Sequence, residues 1–152
     1  MRVRIFFVAF AGANLGLVLY GAMGLARPDV LLSGFTLHVF ELPATETGAL
    51  AYLAGLFRLL GFFNLLLGSV GLYLLVRCAR GAEPWVYRLL VGTSMLSYAA
   101  PILFDLTVGT MGPFEVVEIV LFAAMLCGVV LLGTDPEGSR RLLSSTGRTG
   151  DR

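Results

Sequence analysis

The sequence predicts an all-α membrane protein, an up-down-up-down bundle of four transmembrane helices with its N-terminus in and its C-terminus in. Three observations carry that prediction. The 152-residue chain is 57% hydrophobic and 14% charged, whereas soluble chains carry about 25% charged residues, and so short a chain cannot bury that much apolar surface within itself. Four apolar runs are each long enough to cross a bilayer, which takes roughly 20 helical residues. The arginines, finally, are segregated to one side of those runs. Strands are excluded, because a barrel alternates over segments of about ten residues, while these runs are continuous and bounded by Arg, Pro and Gly.

The first span runs from Ile5 to Leu25, behind Arg2 and Arg4. A secretory signal peptide is the competing reading of Met1 to Ala26, with Gly24-Leu25-Ala26 as its cleavage site. The apolar stretch exceeds the roughly 7 to 15 residues of a signal core, which favours a retained span. The second span covers Ala49 to Val76, the third Trp85 to Val108 and the fourth Phe114 to Leu132. The links after the second and third are short, as in an antiparallel bundle. The connection from Arg27 to Gly48 is long, and within it Leu31 to Leu42 is mostly apolar yet too short to span, so it is expected on the outer interface. The tail from Thr134 to Arg152 is rich in Ser, Gly and Arg and is expected to be disordered in the cytoplasm.

Orientation follows from the arginines, since positive charge is retained on the cytoplasmic side of short loops. Arg2, Arg4, Arg77, Arg80, Arg88, Arg140, Arg141, Arg148 and Arg152 fall on one side; Arg27 alone falls on the other, with Asp29, Glu41 and Glu46. The expected location is therefore a multi-pass position in the cell membrane.

Four ionisable residues lie in or beside the spans: Arg58, Asp105, Glu115 and Glu118. A charge at the bilayer centre costs about 2.5 to 3.5 kcal/mol on insertion scales, which makes each a candidate for function. At 1.5 Å per residue from the outer ends, Arg58 lies about 13 Å deep, Glu118 about 7 Å and Asp105 about 5 Å, with Glu115 near the surface. All four fall in the outer half. Arg58 is expected to pair with Glu118, Asp105 or both. Such a pair would either fix helix register or form an outward-facing pocket for a headgroup, a small anion or another small ligand. Asp105 shares a helical face with Pro101, Tyr98 and Ser94, which extends the candidate cluster to Tyr98.

Asn14 and Asn64 sit at similar depth, where an amide needs an interhelical hydrogen bond. Gly12 and Gly16 form a GxxxG around Asn14, and Gly61, Gly68 and Gly71 share a sector with Asn64. That pattern predicts a close seam between the first two helices; homodimerisation through GxxxG is a further option.

Other chemistries are poorly served. A net charge of +1 gives no basic face for nucleic acid. Cys78 and Cys127 make no C-x-x-C motif and read as small apolar residues. His38, the single histidine, cannot build a metal site with Glu41 alone, and it has no nucleophile motif to serve. Phosphate loops and dinucleotide fingerprints are missing. No metal and no cofactor is expected.

The second helix, with Arg58-Leu-Leu-Gly61 followed by Asn64 and Gly68, and the fourth, with Glu118 in an apolar run, resemble the small bacterial four-helix membrane proteins of the DoxX-like group. The resemblance covers the four spans in order. It implies a bacterial cytoplasmic-membrane protein and brings in a quinone-linked redox subunit as one reading, with Arg58, Gly61 and Glu118 as the residues carried over. The residues themselves favour a non-enzymatic accessory or interaction protein that meets another membrane protein in the lipid bilayer. The runner-up is a protein that binds a small ligand or a lipid headgroup through the outer polar cluster.

Overall fold

The structure, a computed structural model, describes residues 1–31, 47–81, 83–108 and 113–134. Among them are four long helices: α1 (Arg2–Ala26), α2 (Thr47–Ala79), α3 (Pro84–Val108) and α4 (Pro113–Gly133), and residues 28–31 are helical as well. All four are long and apolar enough to cross a membrane, and there is no strand among the described residues. Each helix outruns its apolar stretch by one to three residues at one end or both, since backbone hydrogen bonding continues into the polar flank where lipid contact does not. His38, Glu41, most of the 31–42 segment and the tail beyond Thr134 lie outside the described residues.

Local chemistry sets the ends. Pro84 and Pro113 open α3 and α4 at the first helical position, where proline's missing N–H costs nothing. At the end of α2, Gly81 adopts a positive φ of 80°, and its N–H reaches the Cys78 carbonyl at 3.1 Å. Glycine takes that turn without the Cβ penalty of other residues. Arg2 donates from Nη1 to the Thr134 carbonyl at 3.1 Å, so the start of α1 supplies a cation to the exposed carbonyls that end α4.

The helices close a ring in which α1 packs on α2 and α4, and α3 packs on the same two. The α1–α2 seam is the most extensive. Gly21 and Gly24 of α1 press on Gly61 of α2, where a Cβ on Gly24 would lie 3.0 Å from the Gly61 Cα. A Cβ on Gly68 would meet the Asn14 carbonyl at 2.7 Å, further toward the start of α1. Residue numbers thus run in opposite senses along the seam. Lipid tails are as apolar as leucine, so no hydrophobic effect drives these helices together; close backbone approach supplies the van der Waals contact instead.

Side chains buried within the bundle concentrate at the end formed by the start of α1, the end of α2, the start of α3 and the end of α4. Phe6, Phe10, Val86, Leu90, Met125 and Leu132 are each at most 2% exposed, and Phe6 stacks on Phe10 and on Tyr87 with centroids 4.4 and 5.5 Å apart. Arg2, Arg4, Arg77, Arg80 and Arg88 belong to this arginine-rich end. The other end, with the end of α3 and the start of α4, carries Asp105, Glu115 and Glu118. The bundle is open there: none of the residues 99–107 of α3 or 114–124 of α4 is buried among the described residues. Apolar side chains facing outward, such as Val8, Leu96 and Leu103, form the surface that a bilayer would cover.

Candidate functional site

A ladder of polar groups rises from the middle of the bundle to the carboxylate end. Its first rung is Asn14, buried on α1. The Asn14 amide nitrogen donates to the Phe10 carbonyl at 2.8 Å and to Ser94 Oγ at 3.0 Å, and Ser94 Oγ lies 3.2 Å from Asn14 Oδ1. Gly71 of α2 backs onto this amide so closely that a Cβ there would collide with it. The second rung is Tyr98, whose hydroxyl donates to the Ala13 carbonyl at 2.7 Å. Gly16 leaves room for that hydroxyl, since a Cβ at 16 would sit 3.2 Å from it. These bonds join α1 to α3, helices on opposite corners of the ring that otherwise barely meet.

Above Tyr98 the ladder becomes acidic. Glu118, half-buried on α4, is within electrostatic reach of Tyr98 and Tyr20, and its charged neighbours are Asp105 on α3 and Glu115 on its own helix. Glu118 Oε2 is buried and has no hydrogen-bond partner among the described residues. Tyr20, on α1, packs edge-on against Phe114 at 6.3 Å between centroids. At this open end of the bundle α1, α3 and α4 bring two phenols and three carboxyl groups within electrostatic reach of one another, an acidic recess. It sits beside Pro101, which withholds an N–H from the Ser97 carbonyl in the turn below.

Of the residues singled out by sequence, Tyr98, Asp105, Glu115 and Glu118 come together here. Arg58 does not join them. It is exposed on α2 and makes no ion pair with Asp105 or Glu118 among the described residues. The reason is helical phase: at 100° per residue Arg58 stands about 160° around α2 from Leu74 and Cys78, the side chains that α2 buries near α3. Its helix is also diagonal to α4 in the ring. The expected Arg58–carboxylate pair is therefore replaced by an acidic recess, and the small-anion reading loses its cation. The ion pair found instead is Arg27 to Asp29 at 3.0 Å, on the exposed turn after α1. Hydrogen bonding to Arg27 holds the Asp29 carboxyl below the usual carboxylate range.

The amides and glycines also redistribute. Asn14 finds Ser94 of α3, while Asn64 is only partly buried on α2. Gly61 and Gly68 form the seam, but their α1 partners include Gly21 and Gly24; Gly12 faces open space, and Gly16 faces Tyr98 and Leu121. Tyr20 is the functional candidate that sequence reasoning missed. Its signal was its place four residues after Gly16, one turn along the same face of α1.

No protein family, curated protein or solved structure matches this chain.

Chemically, the recess offers hydrogen-bond acceptors and negative charge, with the Tyr20 phenol able to donate, since the Tyr98 proton is engaged with the Ala13 carbonyl. Among the described residues no group of three or more His, Cys, Asp or Glu is arranged to hold a metal. The recess suits an ammonium or guanidinium group better than an anion.

Proposed function

We propose that this chain is a multi-pass accessory protein, N-in and C-in, an up-down-up-down bundle that uses its outward-opening acidic recess to engage a cationic group on another membrane protein. The observation that carries this is Glu118 Oε2, buried without a hydrogen-bond partner among the described residues. A buried acceptor left unmade costs about 1 to 3 kcal/mol, and polar groups kept in a span at such cost are characteristically functional. An arginine or lysine from a partner would satisfy it and would be drawn in by Asp105 as well. The orientation is supported by the gathering of Arg2, Arg4, Arg77, Arg80 and Arg88 at the opposite end.

The test is a comparison of what copurifies in mild detergent with the wild type, with Glu118→Gln and with Arg58→Ala. Glu118→Gln keeps side-chain size, so it should retain the fold and lose the partner, while Arg58→Ala should retain both. Equal recovery of the same partner by all three proteins would overturn the reading.

A further inference from the structure

At the opposite end from the recess, α1 and α2 leave a groove of about 320 Å³ between them, lined by Phe7, Val8, Ala11, Leu75, Val76 and Ala79. Every lining side chain is apolar. The groove is not a gap in the seam but a trough on its outer flank, facing the surroundings of the bundle, as the 72% exposure of Val8 shows. In a membrane span that flank lies against acyl chains.

Two arginines stand at its mouth. Arg4, Phe7, Val8 and Ala11 follow the i, i+3, i+4, i+7 spacing that places residues on one helix face, so Arg4 continues the α1 wall of the groove about 6 Å nearer the end of the bundle. On α2, Val76, Ala79 and Arg80 repeat the pattern, and the Arg80 N–H bonds to the Val76 carbonyl at 3.2 Å, carrying the helical path through to Arg80. Both arginines are exposed, and neither guanidinium forms a hydrogen bond or ion pair with another described residue. Arg2, by contrast, is engaged with Thr134. An apolar trough that leads toward two free guanidinium groups has the polarity of a phospholipid with an anionic headgroup, its acyl chain in the trough and its phosphate at the two cations. Guanidinium forks bind phosphate bidentately.

We infer that the α1–α2 groove, with Arg4 and Arg80, is a binding site for one anionic phospholipid. The inference is separate from the acidic recess, since it uses other residues at the other end of the bundle.

Native mass spectrometry of the full chain, released from micelles holding equal amounts of phosphatidylglycerol and phosphatidylcholine, reads the preference directly. The wild type should retain one phosphatidylglycerol in preference to phosphatidylcholine. A surface arginine contributes about fivefold to anionic-lipid attraction. Arg4→Gln and Arg80→Gln should each cut the preference by about that factor, while Arg4→Lys retains most of it. Ala11→Phe fills the trough and should remove bound lipid with both arginines in place. Arg88→Gln, at the same end but on α3, should lower the preference less than either Arg4→Gln or Arg80→Gln. A wild type that takes both lipids equally overturns the site without recourse to any variant. So does a loss in Arg88→Gln as large as that in Arg4→Gln, or a dimer that Ala11→Phe splits, which would assign the trough to a second copy of the chain.

Discussion

The α1–α2 seam and the acidic recess lie within a few turns of each other and solve opposite problems. The seam brings backbones into contact through Gly21, Gly24, Gly61 and Gly68, so nearly every polar group along it is an internally bonded helix amide. The recess holds Glu118 half-buried with one oxygen unsatisfied among the described residues, between α3 and α4 segments in which no described residue is fully buried. In a bilayer, stability comes from close packing and satisfied polar groups. The seam has both, whereas the recess is loosely packed and leaves one carboxylate oxygen, Glu118 Oε2, unsatisfied among the described residues.

That contrast can be broken most sharply at Gly21. A Cβ there would lie 2.6 Å from the Gly61 carbonyl and collide with the Leu65 backbone, so Gly21→Ala should destabilise by about 3 kcal/mol, at the upper range of overpacking. Unfolding in mixed micelles measures it; an unchanged midpoint would show that the helices are not held this close. Gly71→Ala should cost about 2 kcal/mol for the same reason, but through the Asn14 side chain. In an Asn14→Ala background most of that cost should vanish, and a cycle across the four proteins reads the coupling.

In the recess the sign should reverse. Glu118→Leu removes an unsatisfied buried acceptor and should raise stability by about 1 kcal/mol while abolishing partner binding. A large loss instead would make the carboxylate part of the architecture. Gly12→Ala should also stabilise, by about 0.5 to 1 kcal/mol, because Gly12 has open space around it and alanine is the better helix former. This separates it from Gly21, a glycine of the same helix.

The smallest effect belongs to Arg27–Asp29. The folded carboxyl of Asp29 is lowered by its hydrogen bond to Arg27. Whatever stability the pair adds is therefore present above the ordinary carboxylate range and lost as pH falls through the lowered value. Both side chains are exposed, so solvent screens the pair. Asp29→Asn and wild type should share one unfolding midpoint at pH 7, and any difference should close further in acid.

Much of this was legible without coordinates. Hydropathy located the four long apolar helices to within a few residues, because the length of an apolar run is a local property. Depth along each helix was legible too, which is why Asp105, Glu115 and Glu118 could be grouped in advance, with Tyr98 added by its spacing from Asp105 on one face of α3. The sector around each helix was not: the same depth estimate placed Arg58 with the carboxylates, although it stands on the far flank of α2. Gly12 and Gly16 satisfied a spacing rule, yet Gly21 and Gly24 took up the seam contacts with Gly61.

The sequence by itself determined that the chain has four helices long and apolar enough to span a membrane, and at what height each polar residue sits, since both depend only on order along the chain and rise per residue. The tertiary structure alone decided which polar residues meet. That depends on helix rotation and on which neighbours close the ring, and these are set by where two backbones can touch without a Cβ between them.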